Sequence, residues 1–234
     1  MTKIMIDAGH GGVDGGAQGN QLSEKVLTLR IAQKIKDRLE DYENCTVAMT
    51  RNSDLFLELS QRANQANKWG ADAFISIHIN SAVTTSAKGF ESYIYNGSTN
   101  AKTSAFQNVV HAEIMKQIDM SDRGKKRANF SVLRNTNMIA LLTENGFIVN
   151  TSDASKLKSD SYLNKIAQGH VNGIVSFFGL KKKATPKTES GATIAKPKGT
   201  LYKVQVGAFS DLSNAEDLKK ALAKDGYSAF IDVE

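Results

Sequence analysis

Four residues in this chain have types and positions that could do chemistry together: His10, Glu24, His78 and Glu144. His10 follows a short apolar run over residues 3–7. His78 ends the run FISI at 74–77, and Glu144 ends an apolar run over 139–143. If these runs are parallel strands, the three groups sit at their carboxyl ends and converge on one rim of a sheet, where sites of open α/β sheets gather. Glu24 comes one residue after Ser23, a candidate N-cap, in the first turn of a helix. Leu27 and Ile31 share its side, so Glu24 starts on the core-facing stripe. Two histidines and a carboxylate are a sound zinc set, because a catalytic zinc takes three protein ligands and leaves a fourth position for water. The ion lowers the pKa of that water toward ~7 and polarises a carbonyl. A second, non-ligating carboxylate can then carry the proton from water to a leaving amine, the role assigned to Glu144. Arg134, in FSVLRNT, is a candidate for binding an anionic or carbonyl group of a substrate.

Each of these residues has an ordinary explanation when taken singly. A histidine after a strand is commonly a polar turn residue, and Glu24 could simply complement a helix dipole. Glu144 could be a strand-end surface residue and Arg134 a solvated loop charge. His78 is the odd one, since an imidazole buried after FISI needs partners. Four positions converging on one rim favour the joint reading. His111 and His170 lie within expected helices without a second metal-type residue at ligand spacing and are read as structural. The run Lys125-Lys126-Arg127 is read as a solvated or polyanion-facing loop.

The elements that must position the four residues alternate. Strands are expected at 3–7, 45–50, 73–79, 89–95 and 139–144. Helices are expected at 23–41, 57–69, 103–119 and 162–178, the first with Leu27, Ile31, Ile35 and Leu39 at i+4 spacing. The wholly apolar 73–79 should be central. The alternation predicts an α/β fold, a mostly parallel twisted sheet with helices on both faces. After it, residues 181–200 hold both prolines of the chain, Pro186 and Pro197, and six lysines against one glutamate, a basic linker. It separates a body at 1–180 from a tail at 201–234. In the tail, Tyr202, Val204 and Val206 alternate with polar residues. A helix follows at 212–224 with Ala215, Leu218 and Leu222 inward, then a second strand at 227–233, a small βαβ unit.

Composition narrows the classes. At 234 residues, 41% hydrophobic and 23% charged, the chain has globular values. No stretch approaches the ~18 apolar residues of a membrane span, so membrane insertion is not expected. The N-terminus MTKIMIDAGHGG lacks the pattern of a secretory signal. The single cysteine, Cys45, excludes an internal disulfide and any multi-cysteine metal cluster. Gly9-His10-Gly11-Gly12-Val13-Asp14 begins like a dinucleotide fingerprint. However, Asp14 stands at the third glycine position and the helix starts about nine residues too late. Nucleophile-elbow, P-loop and H-E-x-x-H motifs are absent from the sequence. The net charge of +6 points to a polyanionic neighbour. The lysine-rich linker has no interleaved aromatics, so nucleic acid is not the expected partner.

The ordered set IDAGHGGVDGGAQG, LSEKVLTLRIA, VAMTRNSDLFLELSQRANQAN, ADAFISIHINS, GFESYIY, FSVLRNTNMIALLTENGF and NTSDASKL resembles the zinc-dependent N-acetylmuramoyl-L-alanine amidases of bacterial autolysins and phage endolysins. The resemblance implies zinc ligands at His10, Glu24 and His78 and a catalytic glutamate at Glu144. It implies hydrolysis of the amide between the lactyl group of N-acetylmuramic acid and L-alanine, with peptidoglycan as substrate and partner. Ala8 stands where a proline is frequent, and Met138-Ile139 where a Met-Pro pair is common. The tail, with VQVGAF, A-x-x-L and G-Y, resembles half of a sporulation-related (SPOR) repeat, which implies binding to glycan strands. The expectation is a wall hydrolase made in the cytoplasm without a signal peptide and acting outside it. It would serve mother-cell lysis in sporulation or phage lysis, with anionic wall polymers as further neighbours. The rival readings are a non-catalytic wall-binding protein and a zinc peptidase cutting within the stem peptide.

Overall fold

The computed structural model describes residues 1–184, 207, 211–224 and 228–232. The chain divides into two compact units, Met1–Ala184 and Thr185–Glu234.

In the first unit, β1 (Thr2–Ala8) leads through two short pairing strands, β2 (Gln18–Gly19) and β3 (Leu22–Ser23), into α1 (Glu24–Leu39). Then come β4 (Cys45–Met49), α2 (Leu59–Trp69), β5 (Ala73–Asn80), β6 (Phe90–Tyr95) and α3 (Ala101–Gln117). The unit continues with β7 (Asp122–Ala128), α4 (Ser131–Arg134), β8 (Ile139–Phe147), α5 (Thr151–Lys158) and α6 (Asp160–Phe178). Six strands form one sheet in the order β4-β1-β5-β8-β6-β7. The pairs β1–β4, β1–β5, β5–β8 and β6–β7 are parallel, and β6 meets β8 antiparallel. The sheet is therefore mostly parallel and reverses direction once. β5, the apolar run expected to be central, lies between β1 and β8.

Side-chain alternation gives the sheet two different faces. Ile4, Ile6 and Ala8 of β1 and Ile75, Ile77 and Ile79 of β5 join the larger core. There they pack with Leu27, Ile31 and Ile35 of α1, Val110 and Ile114 of α3, and Ile166 and Ile174 of α6. Met5, Phe74, Ala140 and Leu142 point the other way. They form a smaller core with Ala66 of α2 and Val132 and Leu133 of α4. Three long helices cover one face, while an eleven-residue and a four-residue helix cover the other. The thinly covered face carries His78 and Glu144, whose positions match in parity Phe74 and Leu142.

Local signals explain the helix ends. Asn100 accepts from the Thr103 N–H to start α3, and Asn150 accepts from Ser152 and Asp153 to start α5. Ser23 has the extended backbone of an N-cap, but its hydroxyl donates to the Gly15 carbonyl instead. The charged run Lys125-Lys126-Arg127 departs from the expected loop. It lies within β7, an edge strand on β6. Charged residues and glycine are poor local strand signals, yet they suit an edge that must not recruit another chain. The first residues of the lysine-rich segment also pair with the body: Glu43 N–H donates to the Lys181 carbonyl and Lys183 N–H to that of Asp41.

In the second unit, α7 (Leu212–Lys224) stands where a helix was expected. Asp211 accepts from the Ser213 N–H at its start, and Ala215, Leu218 and Leu222 are half-buried. The expected first strand at 201–206 lies outside the described residues. The described part of the second, 228–232, has no strand ladder among the described residues.

Candidate metal centre

His10 lies just past β1, in a loop that two buried arginines hold by its carbonyls. Arg62 donates to the carbonyls of Ala8 (2.7 Å) and His10 (2.8 Å), and Arg51 to those of Ala8 (2.9 Å) and Gly9 (2.8 Å). Arg62 also pairs with Asp7 at 2.9 Å. The Asp7 carboxylate is 0% exposed and accepts from the Thr50 and Ser76 hydroxyls as well. Carbonyls that leave the sheet ladder must find donors when buried, and here the guanidinium groups supply them. His10 itself has φ 61°, the left-handed region that costs a non-glycine residue about 1–3 kcal/mol. The arginine clamp holds it there.

Glu24 opens α1 and is buried. One carboxylate oxygen accepts from the Ala17 N–H (2.8 Å). The other accepts from the Ile79 N–H (3.0 Å) and faces both histidines: His10 Nε2 at 3.1 Å and His78 Nδ1 at 3.0 Å. The two imidazoles meet edge to face, centroids 5.0 Å apart. One ligand atom from each of His10, Glu24 and His78 lies within 4.8 Å of the others. Ligands at about 2.0–2.2 Å from a tetrahedral ion stand roughly 3.3 Å from one another, so two nitrogens and an oxygen at these separations fit a single ion. His10 Nδ1 is 2.8 Å from Asp14 Oδ2. A carboxylate behind a metal-binding imidazole fixes its tautomer and orientation. With Nδ1–H donating to Asp14, Nε2 turns a lone pair toward a carboxylate oxygen, and two facing acceptors call for a cation between them.

The electrostatics agree. Burial opposes the charged form of His10, but Glu24 and Asp14 outweigh it and raise its pKa above the ordinary value. Burial also opposes an ionised Glu24, yet hydrogen bonds and charge from His10 and His78 hold its carboxyl well below the usual carboxylate range. The pocket is built to keep a carboxylate ionised beside positive charge.

Two glycines leave room for these side chains. A Cβ on Gly9 would run into the His78 imidazole. A Cβ on Gly16, where φ is 64°, would stand 2.7 Å from Glu24 Oε2 and from His10 Cδ2. Gly9→Ala is expected to weaken binding of a divalent cation at the cluster by about 10–100-fold, because displaced ligands cost on that scale. The urea midpoint should barely move. Competition against a chromogenic chelator, beside an unfolding curve, checks both halves.

Glu144 is the register partner of His78 on β5 and of Glu91 on β6. His78, Glu144 and Glu91 thus form a row across three strands. Glu144 Oε2 is buried without a hydrogen-bond partner among the described residues. Burial, then the charges of Glu24 and Glu91, push its pKa well above the ordinary carboxylate value. A carboxyl that binds its proton this readily is suited to acid–base work near neutral pH.

The structure brings His10, Glu24 and His78 into one cluster with Glu144 on the adjoining strand. Arg134 is not in hydrogen-bonding contact with them. It is exposed at the end of α4, and its guanidinium reaches Asn129. Sequence reasoning missed Asp7, Asp14, Arg51 and Arg62. Asp14 had a signal in its i+4 spacing from His10, whereas the arginines act across more than forty residues. The remaining histidines are structural. His111 bridges Ser92 (2.8 Å) and Asp122 (2.9 Å), and Ser92 is fully buried, so this Ser–His–Asp line has no access for a substrate. His170 is buried against Thr143 and the Ile166 carbonyl, and burial lowers its pKa to about 4.

The chain is similar to known proteins along most of its length. Residues 4–176 match the family described as N-acetylmuramoyl-L-alanine amidase, and residues 180–233 match the SPOR domain. The chain is 47% identical over 232 residues to the amidase CwlM of Bacillus licheniformis, covering 99% of this chain and 85% of that one. It is 47% identical to the sporulation-specific N-acetylmuramoyl-L-alanine amidase of Bacillus subtilis, covering 99% and 84%. It is also 44% identical to the endolysin of Bacillus phage SPP1, covering 93% and 82%. Among solved structures, the catalytic domain of CwlV from Bacillus (Paenibacillus) polymyxa superposes with a TM-score of 0.74 at 36% identity. That match covers 77% of this chain and 100% of that one. With a family match over most of its length and such relatives along nearly all of it, the chain belongs to the N-acetylmuramoyl-L-alanine amidase family.

Proposed function

We propose that His10, Glu24 and His78 hold a catalytic zinc ion and that Glu144 moves the proton in the family's reaction. That reaction is hydrolysis of the amide between the lactyl group of N-acetylmuramic acid and L-alanine. The observation that carries the reading is the cluster itself: two imidazole nitrogens converge on one buried carboxylate oxygen, and on the next strand Glu144 Oε2 is buried without a partner among the described residues. Zinc bound there supplies a Lewis acid for the amide carbonyl and acidifies a water molecule. Glu144 takes the proton from the attacking water and returns it to the alanine nitrogen as the C–N bond breaks. Asp14 holds His10 in the tautomer that leaves Nε2 free, and the Arg51–Arg62 clamp fixes the loop that carries it. Arg134 is exposed, its guanidinium bonds only to Asn129 among the described residues, and it is available to a substrate carbonyl or anion.

The lysine-rich 181–200 acts as a linker and 201–234 as a wall-binding unit, a reading supported by the SPOR match over 180–233. Work on the cell wall follows, in sporulation or in phage lysis. Both settings occur among the relatives. Among the described residues no helix is long and apolar enough to cross a membrane. Metal analysis after dialysis tests the site. One zinc per chain is expected, with none retained by His10→Ala or His78→Ala. Equal zinc content in parent and variants would contradict the assignment.

A further inference from the structure

Glu91 is 2% exposed and collects more positive charge than its own burial requires. One of its oxygens accepts from Asn80 Nδ2 and the Tyr93 hydroxyl, both at 2.7 Å. The other accepts from Arg123 Nε at 2.7 Å and from Lys126 Nζ. One carboxylate therefore binds two cations and leaves one unit of positive charge. Both cations keep about a third of their side chains exposed (35%). Arg123 lies over the Phe147 ring, 4.7 Å to the centroid, and its two terminal nitrogens donate to nothing among the described residues. The other two cations of β7 go elsewhere: Lys125 reaches Asn108, and Arg127 reaches Thr99 and Ser104, on and beside α3. The edge strand thus divides its charge by face. It sends one pair to the side of the sheet that carries Glu144.

We propose that Arg123 and Lys126, gathered by Glu91, form a subsite for a carboxylate of the peptide, on the opposite side of Glu144 from the zinc ligands. The inference rests on the amidase reading above. Strands stand about 4.8 Å apart, so β7 lies roughly 10 Å from the Glu144 strand, and the two side chains lean back across β6 toward Glu91. An extended peptide advances about 3.3–3.6 Å per residue. A free carboxylate on the second or third residue of the peptide leaving Glu144 therefore falls within their reach. A guanidinium whose two terminal nitrogens are open among the described residues, beside an ammonium, is the donor arrangement that recognises a carboxylate.

The test uses N-acetylmuramoyl peptides with L-alanine first, bearing either free carboxylates or carboxamides on the two residues after it. The full-length zinc-loaded protein should favour the carboxylate form by about tenfold or more in kcat/KM, mostly through KM. Lys126→Met leaves Glu91 paired with Arg123 while removing the surplus charge, and Arg123→Gln does the converse. In each, the ratio between the two substrates should fall toward one. Lys126→Arg should restore most of it. A wild-type ratio near one, or variants that slow both substrates in equal proportion, would overturn the subsite while leaving the amidase reading intact. Failure of the wild type to cut either substrate at the muramoyl–alanine bond would overturn that reading and the subsite with it.

Discussion

Glu144→Gln is expected to lower kcat by about 10²–10⁴-fold, the range for loss of a positioned acid–base group, while zinc content stays at the wild-type level. The substitution keeps the shape and removes only the charge and the site for the proton. Its effect on stability has the opposite sign. Glu144 Oε2 is buried without a partner among the described residues and close to the charges of Glu24 and Glu91, so its folded-state pKa lies above the unfolded one. Such a group favours the folded state below the unfolded pKa, and that contribution is lost as pH rises toward the folded pKa. In metal-free protein, Glu144→Gln should therefore match the parent at acid pH and exceed it in stability at neutral pH. Urea unfolding at both pH values, beside a wall-hydrolysis assay, separates the catalytic loss from the gain in stability. A variant that hydrolyses walls at the parent's rate would remove Glu144 from the mechanism.

Arg62→Met should have the largest effect on the fold, about 3–5 kcal/mol, because it leaves the buried Asp7 carboxylate without its counter-charge. Asp7 would keep only the hydroxyls of Thr50 and Ser76, and the His10 carbonyl would lose its donor. Stability and metal affinity should fall together, since one guanidinium serves both. Adding Asp7→Asn should recover part of the stability, because the lost charge no longer needs a partner, but little of the zinc affinity, because the His10 carbonyl still lacks its donor. Urea unfolding and zinc titration of the two single variants and the double variant form the cycle that checks this. Additive losses in stability would mean that the pair is not coupled.

The candidate catalytic residues were more legible in the sequence than the residues that hold them. His10, His78 and Glu144 could be found because each polar residue interrupts or ends an apolar run. Such a break marks the rim of a parallel sheet. Glu24 could be found because a helical stripe continues from it through Leu27 and Ile31. Asp7 has no such mark: a single aspartate at the end of an apolar strand looks like a strand end, and its burial follows from Arg62, fifty-five residues away. The β7 strand was hidden for a related reason. Its residues are charged, and only pairing with β6 makes them a strand. That missed strand is also what brings Arg123 and Lys126 to Glu91. The antiparallel meeting of β6 and β8, which sets Glu91 opposite Glu144, is a matter of chain direction that periodicity does not encode.

Zinc-dependent amide cleavage by this chain is read out by analysis of the products from purified peptidoglycan. The full chain is incubated with walls as purified, after chelation, and after chelation followed by zinc, and the new end groups are identified by mass spectrometry. Free L-alanine amino termini on intact stem peptides are expected, abolished by the chelator and restored by zinc. New termini within the stem peptide, or cleavage that survives removal of the metal, would contradict zinc-dependent cleavage of that amide.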